Sequence, residues 1–304
     1  MSLSFRPSQL ALLRKASVRL ARLQGTGLPR LSAWLHRYFQ ERWHGGEVEV
    51  RDFHGRFRVS LDINEHMGSK AFWFGAYSSD EIAFLKTLLR PGDTFIDVGA
   101  NMGEWTLAAA GEVGPAGKVI AFEPTEQGLA RLRRHVGWNA LDDRVDIIAQ
   151  AVSDRVGTLE LYAQSEGSNE RHDGLMTAYR SEQRSLPIGT VTTTTLDRVM
   201  VERGLDRVDG MKLDIEGGEL LALRGATELL SSRRPWIIVE VDKDVCRVAG
   251  HSADEVLTLL YDHDYEVRVI DDSADKLVRS AADLSDWQNI IATPVRNPAD
   301  ARPG

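Results

Sequence analysis

From residue 94 onward, short apolar runs alternate with amphipathic stretches, and the first of those runs enters a glycine turn that opens straight into a helix. At 304 residues the chain is long enough to bury one large core. Together these observations predict an α/β fold. The main body should be a doubly wound, mostly parallel sheet of seven strands covered by helices on both faces, with an N-terminal helical and hairpin extension ahead of it. The expected division is 1–70 for the extension and 71–296 for the main domain.

Residues 8–23 set Leu10, Leu13, Val18 and Leu20 among regularly spaced arginines and read as a basic amphipathic helix, ended by Gly25, Gly27 and Pro29. A second helix runs from about Leu31 to Trp43 and stops at Gly45-Gly46. Residues 47–63 alternate as a hairpin does, through Val48, Val50 and Phe53 and then Phe57, Val59 and Leu61, with His54-Gly55 at the turn. The aromatic group Phe72, Trp73, Phe74 and Tyr77 either packs in the core or walls a pocket. Asp80 to Leu89 reads as a helix closed by Pro91-Gly92. Strands are then expected at 94–99, 118–123, 144–150, 210–215, 236–241, 265–270 and 288–292, and helices at 103–113, 125–140, 216–231 and 252–263. An additional strand is expected at 156–164, and residues 165–190 read as a long polar loop of functional kind.

The charge balance narrows the function classes. The net charge is −8, with 42% hydrophobic and 27% charged residues. Residues 1–45 hold eight Lys/Arg against Glu41 alone, or +7, which leaves −15 for the rest. So acidic a body does not suit a nucleic-acid binder. The basic arm either packs on the main domain or docks on a membrane surface or partner. A single cysteine, Cys246, excludes a disulfide framework. No run approaches the roughly 18 apolar residues of a membrane span, and Arg14, Lys15, Arg19 and Arg22 interrupt any secretory segment. A cytoplasmic protein is expected.

The glycine turn is Asp97-Val98-Gly99-Ala100-Asn101-Met102-Gly103. Glycines there admit a ligand close to the backbone, and the helix start offers free N–H groups. A dinucleotide site uses three glycines to admit a pyrophosphate; here only Gly99 and Gly103 flank Asn101. An acid at Asp97 suits a cationic ligand such as S-adenosylmethionine and opposes a pyrophosphate. Glu123, ending the second strand, is placed to accept from ribose hydroxyls. Asp154, after the third strand, is either an acceptor for an adenine amine or a plain turn residue.

On these residues the sequence resembles the FkbM family of methyltransferases. The resemblance rests on FIDVGANMGEWTL, KVIAFEPTEQGLARLRRHVGWN, AVSD followed by GTLELY, VTTTTLD, MKLDIEGGELLALRGATELL and RPWIIVEV. It runs from about Asp93 to Val241, more weakly to Thr293, and leaves out residues 1–70 and the 165–190 loop. It implies a class I methyltransferase, Rossmann-like fold, S-adenosylmethionine as donor, and O-methylation of a sugar, glycolipid or secondary-metabolite hydroxyl.

An alcohol attacks a methyl carbon poorly until a base draws off its proton. Within Met211–Glu219, strand alternation sets Lys212, Asp214 and Glu216 on one face. Charges on a central strand are costly unless paired or used, and the strand's C-terminal end faces the ligand crevice. Asp214 and Glu216 are therefore the catalytic candidates, with the alternative that they cap the next helix. His172, in the polar loop, is a third candidate base. Lys212, Glu240 and Asp242 share the rim and are assigned to substrate binding, Lys212 mainly as a counter-ion. A divalent cation on these acids is the weaker reading. The other histidines singled out (His54, His66, His135, His251 and His263) show no metal spacing. A nicotinamide-dependent oxidoreductase, or a non-catalytic module that only binds S-adenosylmethionine, would share this sheet. The first lacks its third glycine and a hydride-site pair; the second does not need the charged run at Asp214–Glu219. No Asn-Pro-Pro-Tyr signature of amine methylation occurs on the fourth strand. The expected acceptor is a small molecule or glycan.

Overall fold

The computed structural model describes residues 7–21, 29–40, 46–163, 176–182, 184–270 and 276–295. The chain opens with α1 (Pro7–Ala21) and α2 (Pro29–Gln40), the hairpin β1 (Glu47–Phe53) and β2 (Phe57–Asp62), then α3 (His66–Phe74) and α4 (Ser79–Leu88). The alternating part follows as β3 (Thr94–Val98), α5 (Glu104–Val113), β4 (Lys118–Phe122), α6 (Glu126–Trp138) and β5 (Val145–Ile148). After β6 (Ala151–Val152), β7 (Gly157–Ala163), β8 (Leu186–Thr194) and α7 (Leu196–Arg203) come β9 (Gly210–Leu213), α8 (Glu219–Arg224) and β10 (Trp236–Asp242). The chain closes with α9 (Lys243–Val248), α10 (Ala253–Asp262), β11 (Tyr265–Val269) and β12 (Trp287–Pro294).

Seven strands form the main sheet in the order β11-β12-β10-β9-β3-β4-β5. β12 runs antiparallel to both neighbours, while the pairs β10-β9, β9-β3, β3-β4 and β4-β5 are parallel. This is the class I methyltransferase, Rossmann-like arrangement. From β3 the chain builds outward through β4 and β5 and later returns to β9 on the other flank. The crevice at that switch point, beyond the C-terminal ends of β3 and β9, is where such sheets bind ligands.

The extension shares the core of one sheet face. Phe53, Phe57, Leu61 and Trp73 belong to the same buried cluster as Phe95, Leu107 and Val119. On α1, Leu10, Arg14 and Ser17 are buried, Ser17 donating to the Trp73 carbonyl at 2.8 Å and Arg14 pairing with Asp52. Leu12, 71% exposed, Lys15 and Arg19 face outward. His135 ties the hairpin to the glycine turn. The Ser60 N–H donates to its Nε2 at 2.9 Å, so Nδ1 must carry the proton it gives to the Met102 carbonyl at 2.7 Å. Burial holds its pKa below the usual 6.5. A histidine held neutral stabilises the fold above that ordinary value, and the contribution is lost as pH falls toward the lowered one. Thermal melts should therefore show His135→Asn losing less stability than the parent between pH 7 and pH 5. Equal slopes would remove His135 as the titrating group.

Several elements differ from expectation. A helix, α3, occupies a stretch read only as aromatic. Residues 186–194, split between the expected loop and unassigned sequence, form β8, which joins β6 and β7 in a separate three-stranded sheet. The helix expected over 216–231 starts only at Glu219, because Gly217 has φ 101°, and it ends at Gly225 before a π turn at Leu229–Arg233. The strand expected over 144–150 is shorter, and its tail turns into β6.

Candidate active site

A cavity of about 260 Å³ opens at the switch point. Gly99–Met102, Trp105, Glu123 and Gln150–Ser153 line it, together with Met67 and Lys70 of α3. The remaining side carries Lys212, Asp214, Glu216 and Glu240.

The glycine turn has this sequence for steric reasons. Gly99 has φ 83°, and a Cβ there would stand 2.0 Å from the Asp214 carbonyl oxygen. Gly103 has φ 93°, and its Cβ would meet Leu132 at 2.6 Å; it caps α5 but does not line the cavity. Asn101, left-handed at φ 49°, aims its N–H at Glu123 Oε2, 2.8 Å away. Glu123 Oε1 accepts from the Thr125 N–H at 2.9 Å and from its hydroxyl. The carboxylate is thus fixed at the end of β4, and burial raises its pKa.

The acid rim is charge-dense. Ligand-capable oxygens of Asp214, Glu216 and Glu240 all lie within 4.8 Å of one another. Lys212 Nζ sits 3.2 Å from Asp214 and 3.8 Å from Asp97, and donates to the Gly99 carbonyl at 2.9 Å. Arg184 holds Glu216 at 2.8 Å, and the Trp287 indole donates to Glu240 at 2.6 Å. Burial, then the neighbouring carboxylates, pushes Glu240 well above the usual range, and it shares a hydrogen bond with Asp214. Burial also raises Glu216, against the pull of Arg184. Glu216 is strained as well, at φ 55°, with its carbonyl held by the Thr177 hydroxyl at 2.7 Å.

Other expected site residues fall elsewhere. Asp97 is 0% exposed and lies behind the wall; it accepts from the Thr106 hydroxyl at 2.6 Å and faces Lys212. It therefore meets the cavity only through Lys212. Asp242 caps α9, accepting from the N–H groups of Asp244 and Val245 at 2.9 and 3.0 Å, and is off the wall. Asp154 sits beside Ser153 and Arg155, and its neighbours Gln150–Ser153 line the cavity in its place. His172 lies outside the described residues.

Tyr77, one of the aromatic residues expected in the core or on a pocket wall, lines the cavity, whereas Glu104, Lys70, Arg184 and Trp287 were not expected at the site. Burial and then four surrounding acids raise the Tyr77 hydroxyl to about 12. Glu104 accepts from His54 Nε2 and the Tyr77 N–H, both at 2.9 Å, and from the Ser78 N–H at 3.3 Å. An acid at the first position of α5, directly after the glycine turn, was the visible signal for it. Glu219 braces the turn below the rim through the N–H groups of Ile215 and Gly217, and burial raises it to about 7.

Among known proteins, the methyltransferase FkbM domain model matches residues 97–267. The AMB antimetabolite synthetase AmbE of Pseudomonas aeruginosa is 27% identical over 258 residues, covering 75% of this chain; the chain spans only 12% of that protein. The 31-O-demethyl-FK506 methyltransferase FkbM of Streptomyces tacrolimicus is 30% identical over 202 residues, or 59% of this chain and 75% of that one. The 2-O-methyltransferase NoeI of Sinorhizobium fredii is 26% identical over 157 residues, or 48% and 63%. With the domain matched over more than half its length and the crevice of a class I methyltransferase at its switch point, the chain belongs to the FkbM family of S-adenosylmethionine-dependent methyltransferases.

Proposed function

We propose that the protein is an O-methyltransferase for a hydroxyl of a sugar, glycolipid or secondary metabolite, with Asp214 as the base. The carrying observation is the rim of Asp214, Glu216 and Glu240 on the cavity wall, in the same cavity as the fixed carboxylate of Glu123. One relative is named a 2-O-methyltransferase and another a methyltransferase of 31-O-demethyl-FK506.

The residues present fit the donor. The cavity is rich in carboxylates, suited to a sulfonium, and Glu123 Oε2, which accepts only from the Asn101 N–H, keeps a lone pair free for a ribose hydroxyl. When bound, S-adenosylmethionine supplies a methyl carbon already activated by its positive sulfur. Glu123 would hold the ribose, and Gln150–Ser153 would border the adenine. Burial and the neighbouring acids favour the protonated form of Glu240, which would donate to Asp214 and leave Asp214 to take the acceptor's proton. Glu216, locked by Arg184, would position the acceptor. Asp97 acts at one remove, by fixing Lys212. Alignment and exclusion of water supply the remaining rate.

Calorimetry should show S-adenosylhomocysteine binding and NAD failing to bind. Glu123→Ala should weaken S-adenosylhomocysteine about 10- to 100-fold, the scale of hydrogen bonds to a charged group, and should lower the melting temperature as well, because the Asn101 and Thr125 N–H groups lose their acceptor. Binding of NAD alone would overturn the donor assignment, and labelled methyl recovered only on nitrogen would overturn the acceptor class. The rim's mutual spacing also fits a divalent cation, although Arg184 and Trp287 already occupy two of its oxygens. Turnover unchanged after dialysis against EDTA would dismiss that second reading.

A further inference from the structure

Cavity walls that are rich in acid leave a problem for a zwitterionic ligand. Glu81, Glu104, Glu123, Asp214, Glu216 and Glu240 all line the space. The amino-acid end of S-adenosylmethionine carries a carboxylate, which needs a positive or N–H-rich neighbour. A helix N-terminus beside a glycine turn normally offers one. Here α5 begins with Glu104, whose own carboxylate stands at that end and consumes the N–H groups of Tyr77 and Ser78. A second anion at that place needs a cation beside it.

Three lysines and arginines line the cavity among the described residues: Lys70, Arg131 and Lys212. Arg131 is committed to Glu65 and Glu47. Lys212 is committed to Asp214, Asp97 and the Gly99 carbonyl. Lys70 has no carboxylate partner among the described residues; its ammonium rests 4.7 Å from the centre of the Tyr77 ring. Its position is set by α3. Met67, one turn earlier on the same helix face, touches the Asn101 side chain at 3.4 Å, and Tyr77 leads through its N–H to Glu104. Lys70 is therefore held over the junction of the glycine turn and α5. With ribose assigned to Glu123 and adenine to Gln150–Ser153, the donor's amino-acid end points back toward this junction.

We infer that Lys70, supplied by α3 ahead of the glycine turn, is the binding residue for the carboxylate of the donor's amino-acid end. The inference rests on the donor assignment above, and two probes separate them. S-adenosylhomocysteine has the carboxylate; 5′-methylthioadenosine has the nucleoside and sulfur without it. In calorimetry, Lys70→Met should weaken S-adenosylhomocysteine about 30-fold, the scale of one charge-assisted hydrogen bond, and leave 5′-methylthioadenosine unchanged. Lys70→Arg should restore most of the loss. The unchanged nucleoside affinity also shows that the variant is folded. If Lys70→Met binds S-adenosylhomocysteine as tightly as the parent, or loses both ligands equally, the role of Lys70 is refuted while the donor assignment stands. If the parent binds neither probe, the donor assignment falls and takes this inference with it.

Discussion

Asp214→Asn should bind S-adenosylhomocysteine nearly as the parent does, yet turn over about 100- to 10,000-fold more slowly, the range for loss of a general base. The substitution keeps the shape of the side chain and removes only its capacity to take a proton. Among the three rim acids, Glu216 is held by Arg184 and Glu240 by Trp287, while Asp214 contacts Lys212. The Asp214 side chain is 37% exposed against 14% for Glu216, so Asp214 is the rim acid most open to an acceptor. The pH profile should follow. Glu216 and Glu240 both have raised pKa values, so the rim stays partly protonated above the ordinary carboxylate range. Turnover should fall as pH drops through that raised region, while binding of S-adenosylhomocysteine changes less. Full activity in Asp214→Asn would move the base to another residue, with Glu216 the first to test.

Where the sequence was informative, a short local pattern and the fold pointed to the same place. The glycine turn could be read because only two glycines satisfy its geometry: Gly99 against the Asp214 carbonyl, and Gly103 against Leu132. Glu123 and the acids of MKLDIEG could be read because a parallel strand's end faces the crevice. Asp242 misled because a rim acid and a helix cap look alike when the helix starts one residue after the strand. Asp97 is buried off the cavity wall; alternation gives a face of the sheet but not the depth of a side chain. β8 gave no strand signal, since most of its residues are exposed and show no buried alternation. Lys70, Arg184 and Trp287 come to the site from three separated points in the chain. Only the tertiary fold brings them together, and no spacing rule records that.

Lys212→Met should destabilise the protein by about 3–5 kcal/mol, the cost of leaving one partner of a buried ion pair uncompensated. Asp97 is 0% exposed, its Oδ1 has no hydrogen-bond donor, and apart from Thr106 its compensation comes from Lys212. Burial raises the Asp97 pKa, and Lys212 pulls it back down. Methionine removes that pull, so the rise grows. A carboxyl raised in the folded state favours folding in its protonated form, and that contribution is lost as pH climbs through the raised value. The penalty should therefore be greatest near pH 8 and shrink as the solution is acidified, the opposite of ordinary acid denaturation. Pairing the change with Asp97→Asn should recover much of the stability, because a neutral amide does not need the ammonium. Denaturant unfolding at pH 8 and pH 6 measures all of this. A Lys212→Met protein as stable as the parent at pH 8 would mean that Asp97 is neutral in the native state and that Lys212 serves the rim alone.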